Sequence, residues 1–214
     1  MESAEKFYSE ICDRYSAAMS SGDYIAAAGV AKEVTGRTKK SFTVSTKYYP
    51  SRGGKNAVIV WNELAKLGWS PEATACIMGC IWNESRFHVG AVNSRDGGWG
   101  LCQWTNTRGP YGVSYRKNRA LNWCKSHGGY GAHVQAAYLN YEMKHSYPKV
   151  YKYHAKRGSL EAIMDHICRF ESYYLYKYKH CNYRIYGFNW HGMYYVRLRD
   201  ANYYYSWFAS RRSK

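Results

Sequence analysis

Residues 70–87 read Ser-Pro-Glu-Ala-Thr-Ala-Cys-Ile-Met-Gly-Cys-Ile-Trp-Asn-Glu-Ser-Arg-Phe, and this stretch constrains the fold more than any other. Ser70 suits a helix N-cap and Pro71 the first helical position, so a helix is predicted over Pro71–Ser85. Ala73, Ile77 and Ile81 recur every four residues and mark its inner stripe. Glu84, three residues past Ile81, continues that stripe at the C-terminal end. A carboxylate on an inward face is costly unless it is paired or protonated, and loss of water raises a carboxyl pKa. Two readings stand at this point. Glu84 is either a structural ion-pair partner of Arg86 or Lys66, or an acid that keeps its proton near neutral pH and can give it away.

The surrounding pattern is mainly helical. Ala57, Val60, Trp61, Leu64 and Leu67 stripe a helix over about 56–67, and Gly68 follows where a left-handed cap is common. After Phe87 the helical period is lost. Asn93-Ser94-Arg95-Asp96-Gly97-Gly98 is a turn signal, and Trp99-Gly100-Leu101-Cys102-Gln103-Trp104 reads as a short strand. Helices are expected again near 114–126, 132–145 and 159–172, while the Tyr-rich sequence beyond 173 has no clean period. Towards the N-terminus, Phe7, Tyr8, Ile11, Tyr15 and Met19 predict a helix over 4–19, and an Ala-rich piece a second over 24–34. Residues 36–54 are basic and polar and end in Pro50-Ser51-Arg52-Gly53-Gly54, the composition of a linker or extended arm. The expected division is a helical arm and basic linker over 1–54 and the main domain over 55–214.

Charge and composition narrow the partners. The formal net charge of +16 favours polyanions, whether cell wall, nucleic acid or a membrane surface. It also fits a solvated basic surface neutralised within an assembly. Basic charge interleaved with aromatics is compatible with nucleic-acid binding, but no RNP, KH or zinc-finger pattern accompanies it, so nucleic acid is not the expected partner. No stretch approaches the roughly 20 apolar residues of a membrane span. Met1–Glu5 does not read as a secretory signal. The seven cysteines are odd in number and lack CxxC spacing; Cys76 and Cys80 share a helical face and read as buried free thiols. The eight histidines lack zinc spacing, so neither a metal site nor a cofactor is expected.

The run Ile81-Trp82-Asn83-Glu84-Ser85-Arg86-Phe87, then Asn93, then Gly98-Trp99-Gly100-Leu101-Cys102-Gln103-Trp104 resembles the phage tail lysozyme domain, found in wall-degrading tail proteins of short-tailed phages. It is more distantly similar to goose-type lysozymes and lytic transglycosylases. Those families share a Glu-Ser at a helix end, an Asn-containing turn and a Gly-x-x-Gln strand, matched here by Glu84-Ser85, Asn93 and Gly100–Gln103. The tail lysozymes add a Trp, matched by Trp104, and often a nearby Arg, for which Arg108 is the candidate. The likeness extends over roughly 55–208 and is densest over 56–108.

The resemblance implies a mainly α, lysozyme-like α+β domain with a small β-hairpin near 90–104 beside a cleft. It implies peptidoglycan as substrate, Glu84 as the catalytic acid, and Ser85, Asn93, Trp99, Gly100, Gln103 and Trp104 as substrate-binding residues. Gln103 carries both a donor and an acceptor for acetamido or hydroxyl groups. Trp99 and Trp104 can stack on sugars or pack in the core, and Asn93 can instead hold its turn by an Asx bond. Hydrolysis also needs a group that holds water or stabilises the oxocarbenium-like state. Asp96, in the turn, and Glu171, which continues the stripe of Leu160, Met164 and Ile167, are the two candidates. Each has a plain alternative, a turn Asp or an ion pair with Arg86 or Arg169. The expected activity is a muramidase acting from a virion tail and made in the host cytoplasm. A lytic transglycosylase, or an inert structural or wall-binding virion protein on the same fold, are the competitors. Residues 1–54 and the Tyr-rich C-terminal region are the expected surfaces for other virion proteins.

Overall fold

The computed structural model describes residues 43–107 and 112–211, which belong to a compact unit over Phe42–Lys214. The helices expected over 4–19 and 24–34, the first part of the basic stretch, and Arg108 lie outside the described residues. In chain order the helices are α1 (Gly54–Lys66), α2 (Pro71–Ser85), α3 (Arg116–Ser126), α4 (Ala132–Ser146), α5 (Pro148–Tyr151), α6 (Leu160–Ile167), α7 (Tyr173–Lys177) and α8 (Trp190–Ala209). α6 runs on into a 3-10 turn over Cys168–Phe170.

α2 is the axis of the domain. It starts as the sequence predicts: the Ser70 hydroxyl accepts from Ala73 N at 3.1 Å, and Pro71 needs no donor at the first position. Every residue from Pro71 to Ile81 is buried, so the helix is surrounded and not one-sided. Its small residues permit this. A methyl group at Gly79 would stand 2.4 Å from the Arg197 carbonyl oxygen and 2.9 Å from Ala201 N, so α8 crosses α2 almost backbone to backbone. α6 lies against α2 as well, and α1 packs on both α2 and α4. α1 and α8 are joined by Trp61 and Phe208, whose rings stack 4.2 Å apart. Cys76, Cys80 and Cys168 are buried thiols within this core.

α8 is the element the sequence left unread. Trp190, Tyr194, Arg197, Ala201, Tyr204 and Phe208 are its buried residues at helical spacing, together with Asp200. Tyr195, Tyr203, Tyr205 and Trp207 stand off that stripe and are only partly buried, which hides the period.

Residues 43–53 are bound to the domain. Val44 is buried, and its backbone exchanges two hydrogen bonds with the Asn62 side chain, at 2.8 and 3.0 Å. Arg52 reaches Asp200 at 2.5 Å.

The region expected to form a hairpin takes a tighter shape. Val92 faces Trp99 and Trp99 faces Trp104 as isolated antiparallel bridges. Trp99 and Trp104 exchange both backbone hydrogen bonds, at 3.0 and 2.9 Å. The run 99–104 therefore closes on itself instead of extending as one strand, with Gly100 and Gln103 both at positive φ. Among the described residues no strand longer than a bridge occurs.

Candidate active site

Three helical segments meet at one guanidinium. Glu84 projects from the last turn of α2, Glu171 follows the 3-10 turn after α6, and Arg197 lies mid-way along α8. Arg197 donates through Nη2 to Glu84 Oε1 at 3.0 Å and through Nε to Glu171 Oε2 at 2.7 Å. The same Nη2 also bonds Glu171 Oε1, and Nη1 donates to the Met193 carbonyl at 3.0 Å. The two carboxyls therefore stand side by side on one guanidinium.

The electrostatics act most strongly on Glu84. Burial pushes the Glu84 carboxyl well above the ordinary carboxylate range; the negative charge of Glu171 pushes the same way, against Arg197. One cation serves two acids, so only one of them can be ionised cheaply. Glu84 nevertheless keeps 23 % of its side-chain surface exposed, so its carboxyl is accessible.

That exposed surface opens on a cavity of about 160 Å³, walled by Ile77, Cys80, Ile81, Cys102, Phe170 and the polar groups Glu84, Glu171, Gln103, Thr105 and Arg116. Burial raises the Cys80 and Cys102 thiols, so they line it as neutral, apolar groups. The cavity is smaller than the roughly 300–1,000 Å³ typical of small-molecule pockets.

The residues singled out in the sequence divide into three groups. Glu84, Glu171 and Gln103 come together at the cavity. Ser85, Gly100 and Trp104 build its support. The Ser85 hydroxyl donates to the Leu101 carbonyl at 2.9 Å and ties the turn to the end of α2. Gly100 lies against Gln135, where a methyl group would stand 2.5 Å from Oε1. Trp104 is fully buried and gives its indole N–H to Glu142 at 2.8 Å, so its ring has no face open to a sugar. Trp99 is also mostly buried, against Trp104 and Tyr130. Asn93 and Asp96 form the third group. Both are exposed and cap their own turn, Asn93 accepting from Arg95 N at 3.0 Å and Asp96 from Gly98 N at 2.9 Å. Neither is among the residues that wall the cavity.

Sequence reasoning missed Arg197, Arg116, Glu142 and Gln135. Arg116 donates to both oxygens of Glu142, at 2.8 and 3.0 Å, from a buried position behind the cavity. Gln135 accepts from Leu101 N and donates to the Val89 and Tyr130 carbonyls, each at 2.8 Å, and so braces the whole turn. A signal existed for Gln135, which interrupts the apolar stripe Ala132, Ala136, Leu139, Met143 of α4.

A family model described as phage tail lysozyme matches residues 55–208. The chain belongs to the phage tail lysozyme family. The matched span contains all three members of the Glu84–Arg197–Glu171 cluster. Membership brings a lysozyme-like, wall-degrading role, with peptidoglycan as the substrate class and the phage tail as the setting. No curated protein and no solved structure matches the chain. Among the described residues no helix of this tail lysozyme is long and apolar enough to cross a membrane.

Proposed function

We propose that the chain is a muramidase that hydrolyses the β-1,4 bond between N-acetylmuramic acid and N-acetylglucosamine, with Glu84 as general acid. The observation that carries this reading is a largely buried carboxyl set beside Glu171 on one guanidinium, on the wall of a cavity that Gln103 also lines, where burial and Glu171 raise its pKa. Glu84 gives its proton to the leaving glycosidic oxygen as the C–O bond breaks and an oxocarbenium-like centre develops. A water oxygen then bonds that carbon, and its proton returns to Glu84. Glu171 acts as a positioning residue whose charge favours the protonated form of Glu84, and Arg197 fixes the rotamers of both carboxyls. Gln103, whose Nε2 donates to the Gly100 carbonyl and leaves Oε1 as an acceptor, and Thr105 are the polar groups of the wall assigned to hold the water. Asp96 is assigned no step, because its carboxylate is committed to its own turn. The setting in a phage tail supports local action on the wall, carried out by the domain proposed here to run from about residue 42 onward.

A second reading has one observation in its favour. Both carboxylates reach the same Arg197 nitrogen, so Glu171 stands beside Glu84, not across the sugar ring where two-carboxylate glycosidases keep their second group. A lytic transglycosylase needs only the one acid, since the muramoyl C6 hydroxyl attacks in place of water.

Mass analysis of the fragments released from purified sacculi tests both. Reducing N-acetylmuramic acid ends are expected for the muramidase, and 1,6-anhydro ends support the transglycosylase. No release by folded protein overturns both and leaves a wall-binding scaffold.

A further inference from the structure

α3 and α4 form a second concave site away from Glu84. The groove between them has a volume of about 560 Å³, and its walls include Arg119, Asn122, Trp123, Tyr141, Glu142 and His145. This size falls within the range of roughly 300–1,000 Å³ typical of ligand pockets, which the catalytic cavity does not reach.

The groove carries a ladder of rings. His127 stacks on Trp123 at 3.7 Å, Trp123 on Tyr141 at 5.7 Å, and Tyr141 meets His145 at 4.2 Å. Trp123 is half-buried among His127, Tyr138 and Tyr141, while Tyr141 is 43 % exposed and is the ring the groove presents to solvent. Both imidazoles are fixed in one tautomer. His127 Nδ1 lies 2.8 Å from the Trp123 carbonyl and His145 Nδ1 2.7 Å from the Tyr141 carbonyl. A carbonyl oxygen can only accept, so each Nδ1 donates and the two rings are held in place by their own helix end. Asn122 and Arg119 are exposed on the neighbouring turns of α3. Flat apolar faces interleaved with fixed donors, acceptors and one cation suit a sugar ring, which has apolar C–H faces and a polar rim. Glu142 links this groove to the catalytic side, since its carboxylate holds Arg116 and Trp104 from behind the cavity.

We propose that the α3–α4 groove is a second glycan-binding site, which holds a strand of N-acetylated amino sugars while Glu84 acts elsewhere on the wall. The assignment of peptidoglycan as its ligand rests on the proposed muramidase reading. The probe is tetra-N-acetylchitotetraose, titrated into the full chain carrying Glu84→Gln, with the Trp123 indole and His145 ring resonances followed by NMR. Saturable shifts at both are expected. Tyr141→Ala should weaken them roughly tenfold, the scale of one lost aromatic contact, while whatever response the Gln103 amide shows is unchanged by that substitution. Arg119→Ala, at an exposed position, provides a second variant with an expected weakening in the same direction. Silent Trp123 and His145 resonances overturn the proposal. So does a stronger response to single-stranded DNA than to the sugar, which would make the groove a nucleic-acid site. Turnover of sacculi by the unmodified chain is measured in parallel. Shifts without turnover remove the catalytic reading and leave the groove; turnover with silent resonances removes the groove alone.

Discussion

Gly79 and Arg197 are in backbone contact: the Gly79 Cα faces the Arg197 carbonyl so closely that a methyl group there would sit 2.4 Å from its oxygen. This contact lets α8 come close enough for the Arg197 side chain to reach Glu84. Glycine inside a helix ordinarily costs about 0.5–1 kcal/mol relative to alanine, so Gly79→Ala would stabilise an unpacked helix. Here overpacking, typically 1–3 kcal/mol, outweighs that gain. We expect Gly79→Ala to lower the denaturant midpoint and to reduce turnover, and an unchanged midpoint would show that α8 can shift freely.

Glu84→Gln keeps size and hydrogen-bonding capacity but removes the acid. Turnover on sacculi should fall by roughly two to four orders of magnitude, the usual worth of a positioned general acid, with the circular dichroism spectrum retained. Near-normal turnover in a folded variant would make the carboxyl structural.

The same substitution should stabilise the fold at neutral pH. Below the ordinary value of 4.5, Glu84 is protonated in both the folded and the unfolded chain. Above it the unfolded chain releases the proton while the folded chain, whose value is raised by burial and Glu171, retains it. Stability is therefore lost progressively as pH rises from there towards the folded value. Thermal unfolding should find Glu84→Gln matched with the parent at pH 4 and more stable at pH 7. The opposite order would mean that the carboxylate is the favoured folded form.

Glu171→Gln separates positioning from direct chemistry. Removing the charge that opposes ionisation of Glu84 leaves Arg197 to favour it, so the Glu84 pKa should drop. The alkaline limb of the pH–rate profile is expected to move to lower pH, with activity largely recovered under acidic conditions. A uniform loss at every pH would instead indicate that Glu171 takes part in the reaction itself.

Residues 43–53 make the domain boundary testable. A chain starting at Lys55 lacks Val44 and Arg52 and leaves Asp200, which has no exposed side-chain surface, without its shortest ion pair. Compared with a chain starting at Phe42, its unfolding free energy should be lower by on the order of 2–5 kcal/mol. Equal chemical denaturation curves would return the boundary to residue 54.

Local signals in the sequence carried some elements and not others. The α2 helix was readable from end to end because Ser70, Pro71 and the four-residue stripe act within it. Glu84 was readable as an inward acid for the same reason. Arg197 was not, because tyrosine is apolar enough to bury and polar enough to expose, and Tyr194, Tyr195, Tyr203, Tyr204 and Tyr205 fill both faces of α8. The stripe of Leu160, Met164 and Ile167 pointed to Glu171, but its partner lay 26 residues further on, beyond the reach of periodicity. The run 99–104 alternates well enough to suggest a strand. The Gln135 brace and the left-handed Gly100 and Gln103 turn it back instead.

The joining of residues 84, 171 and 197 by one guanidinium has a temporal consequence. On a ribosome Glu84 emerges long before Arg197, and α2 can form as soon as it leaves the exit tunnel. Its carboxyl then faces water, with no cation to orient it and no neighbour to hold its proton. On the proposed reading the acid is armed only when α8 docks against Gly79, so a half-made chain carries Glu84 in an idle state.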